Sequence, residues 1–310
     1  MTKQNVSHTP RILVIGCNGQ VGWELSRSLL HLGNVLAVGR KELDLTDESA
    51  IQETLRRLKP QHIVNAAAYT MVDEAESEVG LAMKINGEAP GVIARTAAEL
   101  GSVLIHYSTD YVFDGSSTTP YYEHDATNPL NVYGQSKLIG EQAIIDAGCD
   151  HMILRTSWVY GLRGKNFLNT IIRKASEKVL LNVVDDQYGS PTWSRSIAEV
   201  TAQIIAQDKL AGYKGICHLT SSGETTWHDF AEYIVEKCSE FIDLKCRVVK
   251  PLSSESYGVI AQRPKRSVLS LEKLNAEWNI HMPDWRETLN MCLADLRNAI
   301  LICKQYTMNR

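Results

Sequence analysis

The run Arg11-Ile12-Leu13-Val14-Ile15 passes directly into Gly16-Cys17-Asn18-Gly19-Gln20-Val21-Gly22, and this junction narrows the choice of fold more than any other stretch. A short, continuous apolar run predicts a strand buried on both faces, as in a parallel sheet. Three glycines at this spacing permit a tight turn, close approach of the backbone to a pyrophosphate, and close packing of the next helix on the strand. That helix is expected to start near Gln20 and run through Trp23, Leu25, Leu29 and Leu30. Its N-terminus then presents unpaired N–H groups and a positive dipole end to the phosphate. A second strand at Asn34–Val38 completes the unit, so Gly16, Asn18, Gly19, Gln20, Val21 and Gly22 are expected dinucleotide contacts.

The residues after the second strand bear on the choice between NADP and NAD. An acid there would bind the ribose 2′-hydroxyl, whereas a basic group suits a 2′-phosphate. The chain has Gly39-Arg40-Lys41, which points to NADPH through Arg40, while nearby Glu42 leaves NADH use open. Asp44 and Leu45 read either as the edge of an adenine pocket or as the turn before a helix capped by Asp47, with Glu48 in its first turn.

Two further strands carry chemistry at their carboxyl ends. Gln61–Ala66 ends in Ala66-Ala67-Ala68-Tyr69, small residues where a flat cofactor needs close approach. Val103–Tyr107 delivers Ser108-Thr109-Asp110-Tyr111-Val112-Phe113, and a hydroxyl there can hold a substrate carbonyl. Downstream, Tyr133 and Lys137 stand four residues apart, on one face of a helix. From there the ammonium can favour ionisation of a phenol whose ordinary pKa of about 10 makes it a poor proton shuttle. Tyr133 is thus expected to exchange a proton with a carbonyl or alcohol oxygen.

Thr109, Tyr133 and Lys137, with Gly16-x-x-Gly19-x-x-Gly22, resemble the extended short-chain dehydrogenase/reductase superfamily. Within it, Gly19–Leu25, Asn65–Thr70, Tyr107–Phe113, Pro129–Gly134, Arg155–Tyr160 and Asp186–Thr192 are similar to the dTDP-4-dehydrorhamnose reductase family, over about Arg11 to Leu296. The resemblance implies reduction of the C4 keto group of a dTDP-deoxyhexulose. Tyr133 would be the general acid, Lys137 its electrostatic and ribose-binding partner, and Thr109 the carbonyl-orienting hydroxyl. Asn86 would support Lys137 through water, while Asp110, Tyr111, Trp158 and Arg263 would contact substrate. Two alternatives stay open: a nucleotide-sugar epimerase or dehydratase of the same superfamily, and a non-catalytic regulatory subunit like the partner of methionine adenosyltransferase.

One position departs from the family pattern. Some members bridge two subunits with magnesium held by carboxylates, and Glu24 matches one of these, but Arg195 stands where another is expected. Because Mg²⁺ needs anionic oxygen ligands, a metal-bridged dimer is doubtful and no metal site is assigned, although Asp295 leaves room for one. A monomer or another homodimer is expected.

The 310 residues suffice for an α/β, Rossmann-like doubly wound domain at 11–157 and a smaller, interleaved α/β domain at 158–310 that is mainly for the nucleotide-sugar. A strand near 180–184 is expected to return to the first sheet. His228 reads as capping or surface, and Asp185-Asp186 as a strand-end turn. The net charge of −4, without a basic stripe, argues against nucleic acid, and seven cysteines without a C-x-x-C pair suggest reduced thiols in the cytoplasm. Neither a signal peptide nor a membrane span is read, so the glycosylation pattern Asn5-Val6-Ser7 carries no weight.

Overall fold

The computed structural model describes residues 9–308, so Asn5-Val6-Ser7 lies outside the described residues. Strands β1 (Arg11–Ile15), β2 (Asn34–Val38), β3 (His62–Asn65), β4 (Val103–Thr109) and β5 (His151–Thr156) join Lys214–His218 in a six-stranded sheet. The order is Lys214–His218, β5, β4, β3, β1, β2, and every pairing is parallel. All seven residues of β4 are buried, which explains why its sequence shows no alternation of polar and apolar residues.

Side-chain alternation along each strand divides the core between the two faces. Ile12 and Val14 pack with Leu25 and Leu29 under helix α1 (Gln20–Ser28) and with Ile197 and Ile204 of helix Ser194–Ala206. Leu13 and Ile15 face the other way, onto Ile51 and Leu55 of helix α2 (Glu48–Leu58) and Ile93 of helix Ala89–Leu100. Full burial of such a side chain contributes roughly 1.5–3 kcal/mol, so each face alone commits the strand register. Asp47 caps α2 by accepting from the Ala50 N–H, as its position before Glu48 predicts.

The strand near 180–184 does not return to this sheet. Leu180–Val184 pairs in parallel with Val248–Leu252 in a separate two-stranded sheet. Leu181 and Val183 are buried while Leu180 and Asn182 are exposed, a one-faced pattern that a sheet covered on both sides has no place for. Lys214–His218 makes the return instead, closing the edge beside β5. Around the smaller sheet, helices Phe167–Glu177, Trp227–Ser239 and Trp285–Met308 enclose a second core that includes Leu168, Ile171, Phe230, Ile234, Trp285 and Leu289. No helix among the described residues is long and apolar enough to cross a membrane.

The sheet order reverses between β1 and β3: the chain moves outward to β2 on one side and to β4 and β5 on the other. Ligands of open α/β sheets bind outside the carboxyl ends of the strands at such a point.

Candidate active site at the reversal of the sheet

Gly16 leaves β1 with a φ of +87°, a conformation that favours glycine, and its N–H donates to the Val38 carbonyl at 2.9 Å. A Cβ on Gly16 would lie 2.7 Å from the Ala67 nitrogen, and one on Gly22 only 2.1 Å from the Gly16 oxygen. The turn, α1 and the end of β3 are therefore packed backbone to backbone. Gly19 caps α1 without any side-chain hydrogen bond, so the first N–H groups of the helix stay open to an anion. This glycine cradle and open helix end fit a dinucleotide pyrophosphate.

The loop after β2 arranges its charges unequally. Glu42 accepts the Gly39 N–H at 2.9 Å, which turns its carboxylate into the loop, while Arg40 is exposed. Asp44 accepts both the Thr46 N–H and its hydroxyl at 2.9 Å, and Leu45 is buried in the core. Both residues thus build the turn before α2.

At the end of β3, Asn65 Oδ1 accepts the Ala67 N–H at 3.2 Å, and Asn86 grips the Tyr69 backbone through N–H···Oδ1 at 2.8 Å and Nδ2–H···O at 2.9 Å. Asn86 lies in a π-helical segment, Met83–Glu88, the kind of bulge that re-aims side chains at functional sites. A Cβ on Gly140 would sit 2.1 Å from the Asn86 carbonyl, so helix Val132–Ala147 presses on this segment. The Asn86 amide also donates to Ser136 Oγ at 3.0 Å. It thereby ties the Ala66–Tyr69 loop to the helix of Tyr133 and Lys137.

That helix starts where Asn131 accepts the Gly134 N–H at 2.8 Å, and Gly134 lets it approach the Tyr111 carbonyl, where a Cβ would stand at 2.2 Å. Tyr133 is thus held beside the end of β4. Its phenol lies near Thr109, whose hydroxyl donates to Asp110 Oδ1 at 3.0 Å and accepts the Tyr111 N–H at 3.2 Å. The Asp110 carboxyl is buried and takes a second bond from Ser267. Burial raises it to about 7 against those bonds, and it turns inward rather than to an open substrate face.

Lys137 departs from its expected effect. Its Nζ points to the Tyr107 carbonyl at 2.6 Å and to His106 Nε2 at 3.1 Å. Burial pushes the Tyr133 phenol up to about 12, the Thr109 hydroxyl opposes this, and the Asp110 charge adds to it. The phenol is therefore held protonated rather than eased toward ionisation, which suits a proton donor.

Farther out, Trp158 adopts a positive φ of 46° and stacks on Trp227 with ring centroids 3.4 Å apart and planes 4° from parallel. Gly189 makes room, since a Cβ there would meet the Trp158 ring at 2.4 Å. Trp227 Nε1 donates to Gln187 at 3.2 Å, and Gln187 donates to Ser254 at 2.8 Å. Arg263 pairs with Asp73 at 2.8 Å and lies near Tyr111, whose ring meets Tyr133 edge-on at 5.9 Å. Sequence alone does not single out His106, Asn65, Gln187 or Trp227. The two on β3 and β4 do carry a signal, being polar residues that directly follow the apolar runs Ile63-Val64 and Val103-Leu104-Ile105.

His228 sits beside the Thr226 cap, bonded to Asp229 at 3.0 Å and the Val249 carbonyl at 3.3 Å. Asp186 accepts from the Ser254 backbone and hydroxyl, as a strand-end turn residue would. Glu24, Arg195 and Asp295 do converge, lining a cavity of about 890 Å³ on the far side of α1. There Arg195 bonds Glu199 at 2.9 Å and Asp295 at 3.1 Å, and burial raises Glu24 against the pull of Arg195 and Arg27. A guanidinium occupies the centre of the carboxylate group.

A family model described as RmlD substrate binding domain matches residues 10–298. The dTDP-4-dehydrorhamnose reductase of Burkholderia thailandensis is 46% identical over 294 residues, 92% of this chain and 99% of the relative. That of Salmonella typhimurium is 42% identical over 292 residues, 92% and 97% of the two chains. The Bacillus anthracis reductase, solved in complex with NADP, superposes with a TM-score of 0.87 at 34% identity, covering 93% of this chain and 99% of that one. The Thermus thermophilus UDP-glucose 4-epimerase, at 20% identity and a TM-score of 0.72 over 86% and 93% of the chains, shares the fold.

Proposed function

The chain belongs to the RmlD substrate-binding-domain family, and on that premise we propose that it reduces the C4 keto group of dTDP-4-dehydro-L-rhamnose to give dTDP-L-rhamnose, using NADPH. The observation that carries this reading is the meeting of the Tyr133 helix with the end of β4, which sets the phenol near Thr109 and Tyr111.

NADPH, when bound, would supply the hydride for the C4 carbon. Tyr133, protonated because it is buried, gives its proton to the C4 oxygen. Thr109 gives its one hydrogen to Asp110, which Ser267 also bonds, and would turn that hydrogen to the C4 oxygen to hold it in reach of the phenol. Gly16, Asn18, Gly19, Gln20, Val21 and Gly22 would cradle the pyrophosphate, and Arg40 would meet the 2′-phosphate. Ala66, Ala67, Ala68 and Tyr69, braced by Asn86, would hold the nicotinamide half, with Lys137 Nζ turning from the Tyr107 carbonyl to its ribose. On the sugar-nucleotide side, Tyr111 and Arg263 form one wall and Trp158, backed by Trp227, the other. In this division residues 11–157 serve mainly the cofactor and 158–310 mainly the sugar nucleotide, and the enzyme acts in the cytoplasm as a monomer or homodimer.

The test is stoichiometry: one NADPH is consumed for each dTDP-L-rhamnose formed by the purified protein. An epimerase would cycle its cofactor without net loss, and a regulatory subunit would consume none. Either outcome overturns the proposal.

A further inference from the structure

The strap from Ser254 to Arg263 runs between the two walls of the sugar-nucleotide side. At its start the Ser254 N–H donates to Asp186 at 3.0 Å and its hydroxyl accepts from Gln187 at 2.8 Å, and Gln187 in turn accepts from Trp227, the ring behind Trp158. At its end the strap is held by residues near the start of the Tyr133 helix. Asp73 accepts the Ala261 N–H through Oδ1 at 3.1 Å and the Arg263 guanidinium through Oδ2 at 2.8 Å, while Asn131 Nδ2 donates to the Gln262 carbonyl at 2.7 Å. Two side chains thus fix three consecutive residues. Between these anchors Tyr257 and Ile260 are 51% and 77% exposed, whereas Ala261 is 1% exposed. The strap becomes buried where Asp73 takes hold.

The same short helix, Val72–Ala75, also reaches the proton donor. Ala75 is fully buried in a cluster that packs on Val132 and Tyr133, and Glu76 Oε1 accepts the Val132 N–H at 2.8 Å. Asp73 and Glu76 are three residues apart, so one helical turn holds the strap and the start of the Tyr133 helix side by side. Asn131 repeats the link, since its Oδ1 caps that helix at the Gly134 N–H and its Nδ2 holds the strap.

We propose that Asp73 is a positioning residue for the sugar nucleotide: by clasping Ala261 and Arg263 it closes the strap across the site and holds Arg263 beside Tyr111, in register with Tyr133. A guanidinium has five N–H donors. Arg263 uses Nη2 on Asp73 and Nη1 on the Ala261 carbonyl at 3.4 Å, and keeps donors for a bound anion. Release from Asp73 would free Arg263 to swing from this wall, while the glycine cradle, on the other side of the site, would be untouched. The proposal deepens the reductase reading and rests on it for the effect on turnover, but not for the clasp itself.

The experiment joins kinetics with hydrogen exchange. Asp73→Asn keeps an acceptor for the Ala261 N–H and removes the charge that faces Arg263. The KM for the sugar nucleotide should rise by about fivefold, near the top of the range for a partly exposed ion pair. The KM for NADPH and kcat should stay within about twofold of wild type. A merely structural role would instead lower kcat through loss of folded enzyme and leave both KM values unchanged. Arg263→Gln should also raise the sugar-nucleotide KM, and adding Asp73→Asn to it should bring no further rise, because Asp73 acts through Arg263. In the ligand-free protein, hydrogen exchange read by mass spectrometry should show loss of protection at residues 259–263 in Asp73→Ala. Should that variant fail to fold, Asp73→Asn, which releases the Arg263 end alone, gives the same comparison. A sugar-nucleotide KM that rises no more than that for NADPH, losses that multiply in the double variant, or unchanged protection of the strap overturns the proposal. Absence of any turnover by wild type would sink the reductase reading alone, and the exchange comparison would still decide the clasp.

Discussion

Tyr133→Phe removes one oxygen and leaves the ring, so its effects on folding and on chemistry can be worked out separately. The edge-on contact with Tyr111, at 5.9 Å and 81°, belongs to the ring and survives. Thr109 beside it keeps its bonds to Asp110 at 3.0 Å and to the Tyr111 N–H at 3.2 Å, so no buried polar group is orphaned. The stability cost is then at most that of one hydrogen bond, about 0.5–1.5 kcal/mol. In a chain of 310 residues that lowers the melting temperature by only about 1–2 °C. Loss of a general acid costs about 10²–10⁴-fold in rate, or about 2.7–5.4 kcal/mol of activation free energy. The assay monitors NADPH consumption at saturating cofactor and dTDP-4-dehydro-L-rhamnose, beside a thermal melt and an NADPH titration by fluorescence. Turnover should collapse while the melt and cofactor binding barely change. A rate within about threefold of wild type would show that Tyr133 does not donate the proton, since no general acid is worth so little.

Arg40→Ala should raise the Michaelis constant for NADPH and leave that for NADH unchanged, because Glu42 is turned onto the Gly39 N–H and Arg40 is an exposed basic group after β2; equal effects on both cofactors would make Arg40 mere surface. Gly22→Ala forces a Cβ to within 2.1 Å of the Gly16 oxygen. Overpacking of this kind costs about 1–3 kcal/mol, and calorimetry with an NADPH titration should find a lower melting temperature and weaker binding together. Asp110 rises to about 7 on burial, so the stability it contributes is fully present below its unfolded pKa of about 3.9 and is lost as pH rises through the folded value. Between those limits the melting temperature of wild type should fall relative to Asp110→Asn, and a constant difference would contradict the assignment. Activity should survive exhaustive EDTA treatment, because Arg195 stands among Glu24, Glu199 and Asp295. Loss of turnover restored by Mg²⁺ and not by added salt would overturn that expectation.

The features legible in the sequence were those fixed by local spacing. The glycine turn could be read because each glycine answers to a neighbour within the same unit, and Gly22 meets Gly16 directly. Asp47 could be read as a cap because its partner is three residues on. The failed strand shows the limit from the other side. Leu180-Leu181-Asn182-Val183-Val184 looks like a buried strand, but which sheet it joins depends on Val248–Leu252, more than sixty residues away. The exposed Asn182 was the available sign that one face would stay uncovered. The partners on the sugar-nucleotide side were hidden for the same reason: Arg263 finds Asp73 across 190 residues, and Trp158 finds Trp227 only when the second core forms.

Lys137 marks where local spacing stops being informative about chemistry. Four residues from Tyr133, it shares a helix face with the phenol, and that much is helix geometry. Helix geometry does not fix where a long, flexible side chain ends, and here β4 decides by offering the Tyr107 carbonyl and the His106 ring. Those groups are buried and need partners, whereas the phenol has Thr109 beside it. The polar demand of the strand thus draws Lys137 away from the role its spacing suggests. It also leaves Tyr133 in the protonated form that a reduction consumes. The pair motif therefore identifies which residues meet, while the direction of the proton affinity comes from a strand about thirty residues earlier.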